Sequence, residues 1–132
     1  MSIFRRDRGG PGRVSVQEAA VRTGHGNATG SGGDAVLLDV REPYEWQAGH
    51  APQAVHLPLS ALSALSAGAG LPAHLQARHL VVICRSGNRS RQAAELLAAR
   101  GAQAVDVIGG MRDWAGAGLP VVDARGGNGT VA

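Results

Sequence analysis

The sequence predicts an α/β protein built on a parallel sheet. Short apolar runs alternate with helix-like segments along most of the 132 residues, which is the pattern of successive strand–helix–strand units. Two runs, at residues 35–38 and 80–83, are apolar without interruption, as expected for strands that helices cover on both faces. This length suits one folded domain with a single hydrophobic core.

The first elements are predicted from capping signals. Ser15 and Glu18 have the spacing of a capping box, which predicts a short helix. That helix stops at a stretch rich in Gly, Asn, Ser and Thr at residues 24–33, which predicts a loop. After the strand at 35–38, Pro43 in a first turn and Gly49 at the end bound a second short helix.

The middle of the chain contains the clearest strand. A brief strand at residues 54–57 precedes a short helix at 60–66, where leucines recur three residues apart. The strand at 80–83 then leads through a polar loop at 85–89 into a helix that Gly101 closes. The order strand, loop, helix places the loop at the carboxyl edge of the sheet.

The last elements and the two ends complete the prediction. A strand at residues 104–108 leads to a Gly-Gly turn followed by Met111 and Trp114, which we interpret as core and pocket wall. Residues 1–12 and 124–132 are rich in glycine, with arginines in both, and are expected to be flexible tails. The predicted domain therefore spans residues 13–123.

Composition excludes several classes of function. All 13 basic residues are arginine and the net charge is only +3, spread along the chain, which gives little support to nucleic-acid binding. No apolar run approaches the roughly 18 residues of a membrane span, and the first residues lack the apolar stretch of a signal peptide. We therefore expect a soluble, cytoplasmic protein, and no metal or other cofactor, since no Cys/His cluster has zinc-ligand spacing.

Cys84 is the only cysteine and directly follows the most apolar strand. A lone cysteine at a strand end is often only a small buried apolar residue. Here a polar loop and a helix follow, so backbone N–H groups and the positive helix end can surround the sulfur and stabilise a thiolate. Gly87 allows a tight turn in that loop, and Arg85, Arg89 and Arg91 add positive charge that favours an anionic substrate.

From about residue 14 to 122 the sequence resembles the rhodanese homology domain. Four segments in the family's order carry the resemblance. They are Leu38-Asp39-Val40-Arg41-Glu42 with Trp46; Gly49-His50-Ala51-Pro52 through Leu57-Pro58; Cys84-Arg85-Ser86-Gly87-Asn88-Arg89-Ser90; and Gly109-Gly110-Met111 with Trp114 and Gly118-Leu119-Pro120-Val121. Two departures, Ala51 for a larger aliphatic residue and Gln53 for a frequent glycine, bear on packing at the pocket rim.

The resemblance implies a parallel sheet of about five strands flanked by helices on both faces. It also implies that Cys84 takes a sulfane sulfur from a small anionic donor such as thiosulfate and becomes a persulfide. Cyanide, a thiol or a protein then accepts the sulfur, and the acceptor must be external because no second cysteine exists. The residues expected to line the substrate loop are Arg85, Ser86, Gly87, Asn88, Arg89 and Ser90.

Several roles stay open at this point. Asp39 and Arg41 are expected to form an ion pair that braces the loop, and Arg41 could also help to fix the cradle. We favour Arg85 as the side chain that meets the donor, whereas Arg89 could contact substrate or fold back onto a carboxylate such as Asp39. Structural roles are expected for His50 and His56, since transfer from a preformed thiolate needs no general base.

Two alternative functions use the same loop. Rhodanese-like phosphatases and arsenate reductases carry an arginine six positions after the cysteine, where this chain has Ser90 and Arg89 lies one residue earlier. This spacing argues against phosphoryl transfer, although Arg91 lies nearby. A persulfide carrier, sensing or protein-interaction module without small-molecule turnover is the other alternative.

Overall fold

The computed structural model describes residues 12–25, 34–64, 72–76 and 78–132. Most of the predicted N-terminal tail and of the predicted loop at 24–33 lies outside the described residues. So does the end of the helix predicted at 60–66.

The sheet has five parallel strands in the order β1-β5-β4-β2-β3. The strands are β1 (Arg13–Val14), β2 (Ala35–Asp39), β3 (Val55–His56), β4 (His79–Ile83) and β5 (Gln103–Val107). This confirms the predicted α/β class and the parallel sheet of about five strands. Only β1 was not predicted, because two residues are too few to show a strand pattern.

Five helices accompany the sheet among the described residues. They are α1 (Val16–Arg22), α2 (Pro43–Ala48), α3 (Leu59–Ala64), α4 (Asn88–Ala99) and α5 (Gly110–Gly116), and a 3-10 turn covers Ala73–Leu75. Ser15 caps α1 as predicted, since its Oγ accepts the N–H of Glu18 at 3.1 Å. The 3-10 turn was not predicted, and α5 is a helix where we predicted only a turn. Two glycines at its start hide the helix signal, because glycine is a poor helix former.

Helices cover both faces of the sheet, as predicted. Alternate residues of β4 enter two separate hydrophobic clusters, because successive side chains of a strand point to opposite faces. Val81 and Ile83 pack in the cluster that includes residues of α1 and α5. Leu80 and Val82 pack in the cluster that includes residues of α3 and α4.

The C-terminal segment differs from the flexible tail that we expected. Thr130 donates its N–H to the carbonyl of Ala48 at the end of α2, and Val131 packs against the core. Val122 forms isolated bridges with His50 and with Asn128. Main-chain hydrogen bonds and one apolar side chain make these contacts, and a glycine-rich composition does not reveal them. Within the described residues, no helix is long and apolar enough to cross a membrane.

Candidate active site

Cys84 lies at the carboxyl edge of the sheet, directly after β4. This is the edge at which ligands bind in open α/β sheets. The thiol is buried, with 1% of the residue exposed. Asp39 ends the neighbouring strand β2 and pairs with Ile83, so it lies at the same edge of the sheet as Cys84.

One backbone N–H group, of the kind expected in an anion cradle, approaches the sulfur. Gly87 donates its N–H to Cys84 Sγ at 3.1 Å and is also the N-cap of α4, with a φ of 111°. A φ in this range is rarely adopted by residues with a side chain. The first turn of the 12-residue helix α4 therefore begins beside the sulfur and brings its positive dipole end there.

Ser90 is the second polar contact of the sulfur. Cys84 Sγ donates to Ser90 Oγ at 3.4 Å, and Ser90 Oγ donates to Asp106 Oδ2 at 3.1 Å. Ser90 and Asp106 are both buried, the latter near the carboxyl end of β5. The sulfur is thus linked to a carboxylate through one hydroxyl group.

Arg13 at the edge of the sheet joins this network. Its Nε and Nη2 atoms donate to the two oxygens of Asp106 at 3.0 and 3.1 Å, and Nη2 also donates to the carbonyl of Gly87 at 3.0 Å. The hydrogen bond with Asp106 raises the pKa of Arg13. One guanidinium therefore binds both the buried carboxylate and the carbonyl of Gly87, the residue whose N–H contacts the sulfur.

Arg89 folds back onto a carboxylate, but the partner is Glu45 and not Asp39. Its two terminal nitrogens reach the two Glu45 oxygens at 2.6 and 2.8 Å. Glu45 lies on α2 and is almost fully buried, while one third of the Arg89 side chain is exposed. Hydrogen bonding by Arg89 lowers the pKa of Glu45, and the same bond raises the pKa of Arg89.

Asp39 and Arg41 form the predicted ion pair. Arg41 Nη2 lies 2.8 Å from Asp39 Oδ2, and neither side chain is exposed. Arg41 Nη2 also donates to the carbonyl of Gly49 at 2.6 Å. The pair therefore fastens the turn after β2 to the end of α2. The bracing of the cysteine loop that we expected from this pair stays a prediction.

Arg85, Ser86 and Asn88 are exposed on the loop. Arg85 Nε donates to the carbonyl of Ala132 at 2.8 Å. Arg85 is thus the loop arginine that contacts a backbone carbonyl, whereas Arg89 contacts a carboxylate.

Backbone N–H groups at the start of α5 form hydrogen bonds with the cysteine loop. The N–H of Met111 donates to the Cys84 carbonyl at 2.7 Å, and that of Arg112 to the Arg85 carbonyl at 3.0 Å. Gly110 makes this approach possible, because a Cβ there would lie 2.7 Å from the carbonyl carbon of Arg85 and still closer to the Cys84 oxygen. The second glycine of the Gly-Gly pair is therefore required by contact with the loop.

His50 and His56 lie on either side of the predicted motif residue Trp46. The ring centroids of His50 and His56 lie 3.6 and 4.7 Å from that of Trp46, and both rings stack on it. His50 Nδ1 pairs with the Trp46 carbonyl and His56 Nε2 with the Arg41 carbonyl. These contacts fit the structural role predicted for both histidines.

Sequence reasoning missed three members of the network. Asp106 had a visible signal, since it is a charged residue within the apolar strand at 104–108. Glu45 was also detectable, because it closes a capping box with Glu42 at the start of α2. Arg13 had no signal in the sequence, because only its pairing with β5 brings it near the sulfur. No cluster of three or more His, Cys, Asp or Glu side chains suited to a metal ion occurs among the described residues.

Comparisons with known proteins agree with this geometry. A family model described as "Rhodanese-like domain" matches residues 25–117. A rhodanese-related protein from Thermoplasma volcanium is 35% identical, with a TM-score of 0.57 over 67% of this chain and 84% of that one. The rhodanese-like domain of an Anabaena protein shares the fold at 21% identity, with a TM-score of 0.63 over 84% and 78%.

A third structure carries a different suggestion. It is a protein of unknown function from Rhodopseudomonas palustris, described as a possible tyrosine phosphatase. It is 28% identical, with a TM-score of 0.57 over 67% of this chain and 70% of that one.

Proposed function

The chain belongs to the rhodanese-like domain family, and on that premise we propose that it is a sulfurtransferase working through a persulfide on Cys84. One observation carries the proposal. A buried cysteine at the carboxyl edge of the sheet accepts an N–H from Gly87 at the start of α4. Amides and a helix end in this arrangement stabilise a sulfur anion and, by the same contacts, the terminal sulfur of a persulfide.

The proposed reaction has two halves. The Cys84 thiolate attacks the sulfane sulfur of a donor such as thiosulfate, a new S–S bond forms, and sulfite leaves with the electron pair of the broken S–S bond. The thiol proton has passed to solvent before the attack. In the second half a thiophilic acceptor (cyanide, a thiol or a protein thiol) takes the terminal sulfur and restores the thiolate. The chain has a single cysteine, so the acceptor is external.

The loop arginines have different proposed roles. Arg89 is bound at both terminal nitrogens by Glu45, so its charge is largely compensated within the protein. Arg85 is exposed and contacts a carbonyl oxygen, which a donor anion can replace at little electrostatic cost. We therefore assign the donor contact to Arg85, with Ser86 and Asn88 beside it on the loop. Asp39 and Arg41 support the loop without touching the donor.

Phosphatase activity is the second candidate, because one similar protein is described as a possible tyrosine phosphatase. Position 90 of this chain holds Ser90, whose hydroxyl group forms hydrogen bonds with Cys84 and Asp106. Arg89 forms an ion pair with Glu45. A phosphate dianion would need a bidentate arginine beside the cysteine, and neither position supplies one. The geometry therefore favours sulfur transfer.

A turnover assay tests the proposal. The native protein and a Cys84→Ser variant are incubated with thiosulfate and cyanide, and thiocyanate is measured; p-nitrophenyl phosphate hydrolysis is measured in parallel. We expect thiocyanate from the native protein only, and no phosphate release from either. Cysteine-dependent phosphate release without thiocyanate would overturn the proposal. If neither activity appears, a partner-fed carrier or interaction module becomes the better account. The cytoplasm stays the predicted compartment.

A further inference from the structure

The two described groups that hydrogen-bond to the sulfur lead to one ion pair. Ser90, which accepts from Sγ, donates to Asp106. Gly87, whose N–H donates to Sγ, accepts a hydrogen bond from Arg13 at its carbonyl, in the next peptide. Arg13 and Asp106 are register partners on β1 and β5 and bind each other through two hydrogen bonds.

We propose that Asp106 and Arg13 are positioning residues that control the protonation state of Cys84 through the orientation of the Ser90 hydroxyl. Asp106 biases the resting sulfur toward the thiol, and Arg13 limits that bias. Neither residue contacts the sulfur directly, so each acts through Ser90 or through the Gly87 peptide.

Ser90 Oγ carries a single proton. A carboxylate is a stronger acceptor than a neutral group, and Asp106 Oδ2 takes this proton at 3.1 Å. The lone pairs of Ser90 are then directed at Cys84, where they accept S–H but repel a thiolate. A hydrogen bond that favours the neutral form of a group opposes its ionisation. Asp106 thus favours the thiol through Ser90, in addition to the repulsion between two negative charges.

Arg13 acts in the opposite direction. Its guanidinium compensates the Asp106 charge and holds Gly87 in the conformation that points its N–H at the sulfur. The charged groups that bear on Cys84 are then Asp106 from β5, Arg13 from β1 and Arg89 from α4. A charge on Cys84 raises the pKa of both Arg13 and Arg89. Arg13 and Arg89 place positive charge near the sulfur and Asp106 places negative charge there, so among these three groups Asp106 is the one that opposes a charge on the sulfur.

For sulfur transfer the consequence rests on the proposed function. Formation of a persulfide moves the negative charge from Sγ to the terminal sulfur, one atom farther from Ser90 and Asp106. The carboxylate then disfavours the thiolate more than the persulfide. Asp106 therefore favours the sulfur-loaded protein relative to the reactive thiolate.

The test uses the fact that Cys84 is the only cysteine. Thiolate absorbance near 240 nm is titrated against pH without any sulfur donor, so the outcome is independent of the proposed activity. The variants are Asp106→Asn, Ser90→Ala and the double variant. Arg13→Gln, alone and combined with Ser90→Ala, perturbs the same ion pair from its other side. Arg13 is one third exposed at the sheet edge, so its substitution keeps the test available if Asp106→Asn does not fold.

We expect Asp106→Asn to move the midpoint of the titration to lower pH by about half a unit or more. In the Ser90→Ala background the same substitution should produce less than half of that shift, because the link through the hydroxyl is gone. Arg13→Gln should move the midpoint to higher pH, and that shift should also shrink when Ser90 is alanine.

Asp34→Asn is the matched control, because Asp34 is an exposed carboxylate that precedes β2 at the opposite edge of the sheet. It should leave the midpoint unchanged. An Asp106→Asn shift that is absent, is reversed in sign or is equally large with Ser90→Ala overturns the proposal. An Arg13→Gln shift that is absent or goes to lower pH does the same.

Discussion

Replacement of Gly110 by alanine should damage the protein at the contact between α5 and the cysteine loop. Gly110 has a φ of +57°, and an added Cβ would approach backbone atoms of Cys84 and Arg85. Those atoms cannot move freely, because the Met111 N–H holds the Cys84 carbonyl. The left-handed conformation costs a residue with a side chain about 1 to 2 kcal/mol, and overpacking adds about 1 to 3 kcal/mol.

Gly101→Ala is the matched control for this prediction. Gly101 also has a positive φ, of +89°, but an added Cβ there meets nothing within 4 Å. Gly101→Ala should lose only the part of the unfolding free energy that comes from the left-handed conformation, about 1 to 2 kcal/mol. The free energy of unfolding is measured by urea denaturation, followed by the fluorescence of Trp46 and Trp114. Equal losses in the two variants would refute the account of Gly110 as a contact glycine.

Three further predictions concern titration and charge. His25 is buried, accepts the N–H of Gln53 at Nε2 and contacts Thr23 through Nδ1; burial lowers its pKa below the ordinary 6.5. Its contribution to stability is therefore full above pH 6.5 and declines as pH falls from there through the folded-state pKa. Thus, between pH 7 and 5, the free energy of unfolding should fall less in a His25→Asn variant than in the native protein. Identical slopes of unfolding free energy against pH in the two proteins would contradict this. Glu45→Gln should lower the free energy of unfolding by about 1 to 2 kcal/mol at pH 7. This loss is smaller than for a fully buried ion pair, because Arg89 is partly exposed. The pKa of Glu45 is lowered in the fold, so the difference from the native protein should shrink as pH falls below the ordinary 4.5 and through the folded-state pKa; a difference that persists at acid pH would contradict the ion-pair account. Arg85→Ala should raise the KM for thiosulfate about tenfold while changing stability by less than about 0.5 kcal/mol, and an unchanged KM would exclude Arg85 as the donor contact.

The strands and the cysteine loop could be predicted because local signals determine them. The apolar runs that became β2 and β4 are continuous, and each leads directly into polar residues. Ser15 predicted the start of α1, because its hydroxyl group can cap a helix. Such features depend on residues a few positions apart, which a single sequence displays.

The partners of the loop could not be predicted, since they come from distant segments. Arg13 reaches Asp106 across 93 positions, and Arg89 reaches Glu45 across 44. Sequence reasoning noted that Arg89 could fold back onto a carboxylate, but the choice between Asp39 and Glu45 depends on where the fold places Glu45 of α2 relative to the start of α4. The same limit explains the C-terminal segment, whose contacts are mostly main-chain hydrogen bonds.

The central claim is that Cys84 carries a transferable sulfur atom, and intact-protein mass spectrometry tests it most directly. The native protein and Cys84→Ser are measured before and after incubation with thiosulfate, and again after cyanide is added. The account predicts that only the native protein gains the mass of one sulfur atom and that cyanide removes it. A native protein that gains no sulfur from thiosulfate, or a Cys84→Ser variant that gains as much, would contradict it.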